Sequence, residues 1–394
     1  MKELLRTAVI GIGNMGSAHA SCIFSGSIRG MALSAVCDTD PSRLAWAEEA
    51  FPGVPRFGDA ESLLRSGAAD AVVLAVPHPL HSRLATEAMG AGLHVLCEKP
   101  LDIRVSEARK AVRAAEETGR IFAVMLNQRT NPIFRRARDL VASGALGRLK
   151  RSVWIITNWY RTQHYYDSGG WRATWRGEGG GVLLNQAPHN LDLWQWICGM
   201  PVEVSARCEI AKYHHIEVED EAALFVRYAN GATGCFLTST GEYPGTNRLE
   251  ISGTRGKIVL EEGKLRYWRL REDEEQVRFT SGESFARIPL DYSEWTPPDP
   301  PASHAGILQN FADAVLRGEA LLSPAEDGLQ ELTLSNAAYL SAWEGGAPVP
   351  LPLDEERFDR MLAQRQAAPT SAREKAPGAK EINGEYSPRW QTNW

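Results

Sequence analysis

A lysine and a histidine are the two side chains best suited to chemistry in this sequence. Lys99 follows the apolar residues 93–97 and Glu98 and precedes Pro100, so it stands where a buried strand must stop. Ligands of open α/β sheets bind at the carboxyl ends of strands, which makes Lys99 a candidate for chemistry; a salt-bridged strand end is the alternative. His189 suits a general base, because an imidazole titrates near neutral pH and can take the O–H proton of an alcohol. Lys99 would bond the same oxygen and stabilise its developing negative charge.

The histidine lies in a segment with helical spacing. Asn185, His189 and Asp192 stand at positions i, i+4 and i+7, so they would share one face of a single helix. Pro188 predicts that the helix begins near it, which places His189 in the first turn. Asp192 either orients His189 or interacts with the helix dipole. For His189 itself, the alternative is a structural histidine.

The element that must position Lys99 is an N-terminal alternation of strands and helices. Residues 7–10 form a short apolar strand, followed by Gly11-Ile12-Gly13-Asn14-Met15-Gly16 and a segment compatible with a helix. Glycines there permit a tight turn, the approach of a pyrophosphate and close packing of helix on strand. The next strand, residues 32–37, ends in Asp38, at the spacing of the acid that binds the adenosine ribose.

An acid at this position favours NAD over NADP. The carboxylate of Asp38 would accept from the 2′-hydroxyl and repel a 2′-phosphate, although Arg43 is close enough in sequence to reach a phosphate. Asp38 has an alternative role as the cap of a helix beginning near Pro41, for which Asp40 is an equally good cap. The predicted cofactor contacts are Gly11, Gly13, Asn14, Met15, Gly16, Asp38, Pro77, His81, Glu98 and Lys99.

The alternation continues to residue 126. Helices are predicted over residues 59–65, 80–91 and 105–118, and strands over 71–76, 93–97 and 121–126. Pro77 and His81 directly follow the strand 71–76, where they can line the cofactor crevice. We predict a doubly wound parallel sheet of the Rossmann type over residues 1–126. His78 and His81 lack neighbouring acids or cysteines, so no metal site is predicted there.

From residue 127 the pattern changes to that of an antiparallel sheet. After a helix over 133–143, strands are predicted over 151–160, 221–228, 233–240, 247–252 and 257–261, with turn signals such as Asn230-Gly231. Helices over 303–316 and 325–343 are expected to close this α+β domain, residues 127–353. Residues 354–394 form a polar extension. Trp390 and Trp394 suggest that it docks, on a neighbouring subunit for example, and a truncation before Pro369 tests this.

A loop rich in aromatic and basic residues, 160–176, precedes the glycines at 179–181. Rings can stack on the C–H faces of a sugar while fixed donors bond its hydroxyls, so Tyr165 and Arg172 are predicted to bind substrate. The alternative is a subunit contact, because the same residue types are enriched at interfaces. His214 and His215 precede an acidic segment, where alternation sends neighbours to opposite faces, so a solvated strand entry is predicted instead of a metal site.

The sequence resembles the Gfo/Idh/MocA oxidoreductases, which include inositol dehydrogenases and glucose-fructose oxidoreductases. The resemblance rests on the motif at residues 11–16, on Glu98-Lys99-Pro100 and on residues 179–192, GGGVLLNQAPHNLD. It implies a second domain with an open, mostly antiparallel sheet that carries a sugar site on one face and often an oligomer interface on the other. Where inositol dehydrogenases carry an aspartate four residues before the histidine, this chain has Asn185. An amide can hold a hydroxyl or orient His189 but cannot accept a proton as a carboxylate does, which leaves more of the work to His189.

Composition limits the remaining functions. The chain has 394 residues, a net charge of −6 and no basic stripe, which argues against a nucleic-acid partner. Its six cysteines form no CxxC pair, as expected of reduced thiols, and no signal peptide or membrane-spanning run is present. We therefore expect a cytoplasmic protein that binds no membrane.

Together these features predict a reversible, NAD-dependent oxidation of a ring hydroxyl to a ketone in a sugar, anhydrosugar, glycoside or cyclitol, by a homodimer or homotetramer. The resemblance makes inositol and levoglucosan plausible substrates. Catalysis is assigned to Lys99, His189 and Asn185, and substrate binding to Lys99, Asn127, Tyr165, Arg172, Asn185 and His189. The alternatives are a redox-neutral glycosidase of the same fold and a silent NAD-binding regulator. The joint presence of Lys99 and His189 disfavours the regulator, since binding NAD alone needs neither.

Overall fold

The computed structural model describes residues 3–368 and 383–386 of the chain. Its N-terminal part is a six-stranded, all-parallel sheet in the order β3-β2-β1-β4-β5-β6, with helices on both faces. The elements are β1 Leu5–Ile10, α1 Asn14–Phe24, β2 Met31–Cys37, α2 Pro41–Ala50, β3 Arg56–Phe57, α3 Ala60–Arg65, β4 Ala71–Leu74, α4 His81–Gly90, β5 His94–Cys97, α5 Val105–Thr118 and β6 Phe122–Val124. Strands such as β4 are buried on both faces, which explains their uninterrupted apolar sequences. The predicted doubly wound sheet is confirmed.

The second sheet has nine strands in the order β14-β13-β12-β11-β7-β10-β9-β8-β15. All neighbours are antiparallel except β7 and β10, which run parallel. Its elements, with those that surround it, are α6 Pro132–Ala142, β7 Leu149–Ile156, α7 Gln163–Asp167, α8 Val182–Asn185, α9 Pro188–Cys198, β8 Glu203–Ile210, β9 Glu219–Arg227, β10 Thr233–Ser239, β11 Asn247–Gly253, β12 Gly256–Glu261, β13 Lys264–Leu270, α10 Glu274–Thr280, β14 Leu290–Trp295, α11 Ser303–Arg317, α12 Ala325–Trp343, β15 Val349–Pro350 and α13 Glu355–Ala367. The expectation of a mostly antiparallel second sheet is confirmed.

The segment that carries His189 differs from its prediction. Asn185 ends the short helix α8, and His189 lies in the first turn of a separate helix, α9. Pro188 begins α9 as expected, because its missing N–H is not needed at a helix start. The single helical face expected for Asn185, His189 and Asp192 was therefore wrong, since the chain bends between the first two residues.

Helix α11 also differs from expectation. It was expected to close the second domain, but its buried residues Ile307, Leu308 and Phe311 share a core with Val9 and Val36 of the parallel sheet. An apolar helical face packs wherever a complementary face is open, and sequence order does not decide which sheet provides it. The domain limits at residues 126 and 353 stay predictions. Pro369, residues 372–380, Trp390 and Trp394 lie outside the described residues.

Within residues 3–368 and 383–386, no helix is long and apolar enough to cross a membrane. The same part of the chain holds no group of three or more histidine, cysteine, aspartate or glutamate side chains placed to bind a metal ion.

Candidate active site

The glycine-rich turn after β1 forms a cradle at the N-terminus of α1. Gly11 has φ +85°, and a Cβ there would lie 2.5 Å from the carbonyl oxygen of Ala75, while a Cβ on Gly16 would overlap the carbonyl of Gly11. Gly13 differs, since an added Cβ would meet only the guanidinium of Arg43, at 3.7 Å. Gly11 and Gly16 are thus needed for the fold of the turn, whereas Gly13 leaves open space beside the helix N-terminus. No acid occupies the first turn of α1, so its N–H groups and dipole suit a pyrophosphate.

Asp38 follows β2 and holds this turn in place. Its Oδ2 accepts from the Ile12 N–H at 2.8 Å and from Arg43 at 3.2 Å, and its Oδ1 accepts from the Asp40 N–H at 2.9 Å. Asp40 caps α2 by accepting from the Ser42 N–H, so Asp38 is not the cap. The ribose contact of Asp38 stays a prediction, because its carboxylate is buried against the turn that the cofactor would touch.

Glu98 and Lys99 lie at the carboxyl end of β5, as predicted. Glu98 Oε1 bonds His19 Nε2 at 2.8 Å, and Lys99 Nζ donates to the carbonyl oxygen of Asn185 at 2.7 Å. Burial raises the pKa of Glu98, but the hydrogen bond and charge of His19, with the charges of His304 and Lys99, lower it to about 2. Burial lowers the pKa of Lys99, and nearby carboxylates, Glu98 first, oppose that shift. The ammonium of Lys99 therefore connects the end of β5 to the end of α8.

The residues after β4 form the rim of the same crevice. Pro77 is exposed there, in line with its predicted position, whereas His81 is buried. Its ring nitrogens lie 2.6 Å from the Pro100 carbonyl oxygen and 2.8 Å from that of Val76, so His81 ties two loops together. His78 is also buried, and its Nδ1 lies 3.1 Å from the carbonyl oxygen of Glu178. A direct cofactor contact of His81 stays a prediction.

A buried glutamate folds the glycine run that leads to α9. Glu219 accepts from the N–H groups of Gly181 and Leu183, both at 2.9 Å. A Cβ on Gly181 would overlap the carbonyl oxygen of Glu219, so only glycine allows this approach. The packing of the chain on Glu219 therefore requires glycine at position 181. This packing fixes where α8 begins and, through α8, the position of His189.

His189 is half-buried, and the carboxylate of Asp192 bonds other residues. Burial first, and then the charge of Lys99, lower the pKa of His189 well below 6.5, so the imidazole is neutral near pH 7. Asp192 forms a bidentate pair with Arg129 at 2.6 and 2.9 Å, and Arg129 also bonds Asp327 at 2.5 Å. Both roles predicted for Asp192, orienting His189 and facing the helix dipole, were wrong, because its partner is a buried arginine that lies 63 residues earlier.

Three of the predicted substrate residues, Tyr165, Arg172 and Asn185, belong to one polar network. The Tyr165 hydroxyl accepts from Arg172 at 2.9 Å and from the Gln186 side chain at 3.2 Å, and it lies 3.5 Å from Asn185 Oδ1. The guanidinium of Arg172 also lies over the rings of Tyr165 and Trp171, at 4.8 Å from each centroid. Fixed donors and acceptors beside aromatic faces are suited to a polyol.

Glu178 joins this network, although it was not predicted. Its Oε1 accepts from the Asn185 side-chain amide, and its Oε2 accepts from the Ala173 N–H at 2.5 Å. Ala173 has φ +51°, a conformation rare for alanine, which turns its N–H toward the carboxylate. The side chain of Glu178 is 2% exposed and lies 4.0 Å from Arg172, and burial raises its pKa. The only signal in the sequence is an isolated acid directly before the glycine run.

Two further residues were considered in the sequence, Asn127 as a substrate contact and His214 as part of a solvated strand entry. Asn127 is buried just after β6, and its amide donates to Ser303 Oγ at 3.2 Å. The side chain of His214 is only 7% exposed, and its Nδ1 lies 2.9 Å from Asp220. The expectation of a solvated strand entry was therefore wrong for His214, because Asp220 is buried and needs partners; His215 is exposed as expected.

Comparisons with known proteins identify this arrangement. Residues 5–126 match the oxidoreductase family model with an NAD-binding Rossmann fold, and residues 134–259 match the model of the GFO/IDH/MocA C-terminal domain. Together the two ranges span more than half of the chain. The chain belongs to the Gfo/Idh/MocA family. As a member of that family it is an NAD-dependent oxidoreductase of the sugar and cyclitol dehydrogenase type, which confirms the predicted resemblance and cofactor.

Family relatives align over most of the chain. An inositol 2-dehydrogenase from Rubrobacter xylanophilus is 29% identical over 359 residues, covering 88% of this chain and 93% of the relative. The WlbA dehydrogenase from Bordetella pertussis, solved with NADH and UDP-GlcNAcA, is 29% identical with a TM-score of 0.74, covering 89% of this chain and 100% of its own. A levoglucosan dehydrogenase solved with NADH and levoglucosan is 22% identical with a TM-score of 0.73, covers 88% of this chain and 99% of its own, and shares the fold.

Proposed function

We propose that the protein oxidises a ring hydroxyl of a sugar, anhydrosugar, glycoside or cyclitol to a ketone, reversibly, with NAD as the acceptor. The observation that supports this most directly is the hydrogen bond from Lys99 Nζ to the carbonyl of Asn185. It brings the cation at the end of the cofactor sheet to the segment that carries His189, four residues further on. A base from the start of α9 and a cation from the end of β5 thus lie near one site, as the oxidation of an alcohol requires.

The roles of the two groups follow from their surroundings. His189 is neutral near pH 7, so it can accept the hydroxyl proton as the C–H bond breaks. Lys99 donates to the same oxygen, and its positive charge stabilises the negative charge that develops there. NAD, held by the glycine cradle, supplies the hydride acceptor. Alignment is left to Asn185, whose amide is fixed by Glu178.

The polar network defines the class of substrate. Tyr165, Arg172, Gln186 and Asn185 present donors and acceptors close together, and Trp171 adds an aromatic face. A compact polyhydroxylated ring satisfies many such groups at once, whereas a simple alcohol would leave most of them without a ligand. The activity named for the inositol 2-dehydrogenase relative supports the same class.

The test is NADH formation, followed by absorbance, with NAD and then NADP across inositols, aldoses, levoglucosan and glycosides. One polyol class should reduce NAD, and Lys99→Ala and His189→Ala should each lose at least about a hundredfold in kcat. Lys110→Ala and His215→Ala, which alter exposed side chains, are the controls and should keep full activity. NADH formation that survives both site variants would contradict the assigned roles. Sugar cleavage without net NADH would support the redox-neutral glycosidase instead.

We also propose that the protein is a cytoplasmic homodimer or homotetramer. All six cysteines are free thiols, as a reducing compartment allows. The outward face of β7, β9 and β10 carries Phe225 and Leu237, exposed by 50% and 40%, beside Val153 and Ile155. An apolar patch on an open sheet face is a common oligomer contact. Light scattering after gel filtration should give a dimer or tetramer, which Leu237→Asp weakens and the control Phe285→Asp does not; a monomeric wild-type chain would contradict the proposal.

A further inference from the structure

A short C-terminal segment, residues 383–386, lies against the cofactor-binding half of its own chain. Gly384 packs so closely that an added Cβ would lie 2.6 Å from Ser21 Oγ and 3.2 Å from the Trp46 ring. Tyr386 then reaches between α1 and the start of α11. The tail was expected to dock, for example on a neighbouring subunit; residues 383–386 lie against α1 of the same chain.

Tyr386 ends a chain of hydrogen bonds that begins beside the catalytic lysine. Its hydroxyl lies 2.8 Å from His19 Nδ1, and His19 Nε2 lies 2.8 Å from Glu98 Oε1. Glu98 Oε2 accepts from the Lys99 N–H at 3.2 Å. A carboxylate can only accept, so His19 donates to Glu98 through Nε2, and Nδ1 is left to bond the tyrosine hydroxyl. Both nitrogens are then used, and His19 is completely buried.

The ring of Tyr386 contacts a second route into the site. It stacks on His304 with centroids 4.6 Å apart and planes inclined by 9°. His304 Nδ1 lies 3.1 Å from Ser303 Oγ, which accepts from the Asn127 amide at 3.2 Å. Tyr386 therefore touches two side chains, each of which leads to the end of a different strand of the parallel sheet. Those ends are Glu98, after β5, and Asn127, after β6.

We propose that Tyr386 is a positioning residue of the dehydrogenase site and that the C-terminal segment is part of the catalytic apparatus of its own subunit. The hydroxyl fixes the rotamer of His19, and His19 fixes the carboxylate of Glu98 beside Lys99. The hydroxyl of Tyr386 bonds His19 and not Lys99 or His189, so its effect on the site passes through His19. This proposal rests on the proposed function for its catalytic part alone, because the docking of the segment can be measured without a substrate.

Docking can be tested through a neighbouring thiol. Cys22 is half-buried on α1 and follows Ser21, against which Gly384 packs; burial raises the pKa of its thiol, and Tyr386 opposes that shift. Ending the chain after Ala368 should increase the rate of alkylation of Cys22, measured by mass spectrometry of its peptide, by about tenfold or more. Cys198, half-buried at the end of α9, is the internal control and should react at an unchanged rate. Equal rates for Cys22 in the two chains would overturn docking, whatever the substrate of the enzyme.

The positioning role is tested by kinetics, with kcat normalised to the NADH sites counted by fluorescence titration. Tyr386→Phe keeps the ring but removes the hydroxyl, so kcat should fall about fivefold, as for one lost buried hydrogen bond, while KM for NAD changes less than twofold. Tyr386→Ala should lower kcat further than Tyr386→Phe does, because it also removes the stacking on His304. Glu385→Ala, an exposed change in the same segment, is the matched control and should retain full kcat.

A double-mutant cycle separates positioning from general support. In a His19→Ala chain, Tyr386→Phe should have no further effect on normalised kcat, because the partner through which it acts is gone. Additive losses, or a Tyr386→Phe variant with unchanged kcat, would overturn the proposal. If the wild-type chain oxidises no polyol, the proposed function fails and the positioning role fails with it, whereas the labelling of Cys22 still reports whether the segment docks.

Discussion

Replacing Glu178 by glutamine tests whether the network around Asn185 belongs to the site. Both carboxylate oxygens of Glu178 accept a bond, one from the Ala173 N–H and one from the Asn185 amide. A glutamine has one acceptor, and we expect the fixed backbone N–H of Ala173 to take it. The glutamine NH₂ then faces the Asn185 NH₂, so the half-buried Asn185 must turn its amide over and present Oδ1 instead.

The expected magnitudes follow from this rearrangement. Because the turned amide is again satisfied, Glu178→Gln should lower the free energy of unfolding by only about 1 kcal/mol. The turn moves Nδ2 toward the Tyr165 hydroxyl, where Oδ1 stood, and the donor pattern offered to the substrate changes. The loss of one well-placed bond corresponds to a fall in kcat/KM of about tenfold, or roughly 1.4 kcal/mol.

The assay is urea unfolding together with kcat/KM for the best polyol. Asp273→Asn is the matched control, because each oxygen of Asp273 also accepts one bond, from Thr254 Oγ1 and the Glu275 N–H, at the start of α10. It should reduce stability by a comparable amount and leave kcat/KM unchanged. A Glu178→Gln enzyme with unchanged kcat/KM would refute the reasoning, as would a loss of several kcal/mol in stability that explains the whole kinetic effect.

Three further outcomes are expected. Asp192→Ala should lower the free energy of unfolding by about 3–5 kcal/mol in urea titrations, because Arg129, with a side chain 1% exposed, loses its bidentate partner; a loss below about 1 kcal/mol would contradict this. Gly13→Ala should weaken NADH binding in fluorescence titrations without unfolding the protein, whereas Gly16→Ala should disrupt the turn itself. Equal effects of the two substitutions on stability and on NADH binding would contradict the assignment of this turn as the cofactor cradle. The pKa of His189 is lowered well below 6.5, so the base stays deprotonated as the pH falls toward that value. As the pH is lowered, kcat/KM should therefore begin to fall only below about pH 6.5. A fall centred above pH 7 would exclude His189 as the base.

Features that the sequence predicted share a local physical cause. The strands of the parallel sheet are short apolar runs ended by glycine, acid or proline, and burial on both faces makes such runs recognisable. The turn at residues 11–16 needs glycine for reasons of backbone sterics alone, and a strand end fixes Lys99 without any distant partner. Interactions between neighbours in sequence can be inferred from spacing.

Features that the sequence did not reveal depend on distant partners. Asp192 pairs with Arg129, 63 residues away, and no periodicity reports such a choice. Glu178 gains its place from the unusual backbone of Ala173, which a residue type does not predict. Tyr386 meets His19 across 367 positions. In each case a polar group is buried by tertiary packing, and its partner is whichever complementary group packing brings near.

The return of α11 to the first sheet decides how this protein can be divided. A fragment ending at residue 126 would leave Val9 and Val36 without the cover of Ile307 and Phe311, and would expose an apolar surface to solvent. Such a fragment should aggregate, and a chimaera that exchanges the cofactor half must carry α11 along with it. The cofactor half can thus be exchanged or engineered only together with α11, although each half has its own sheet.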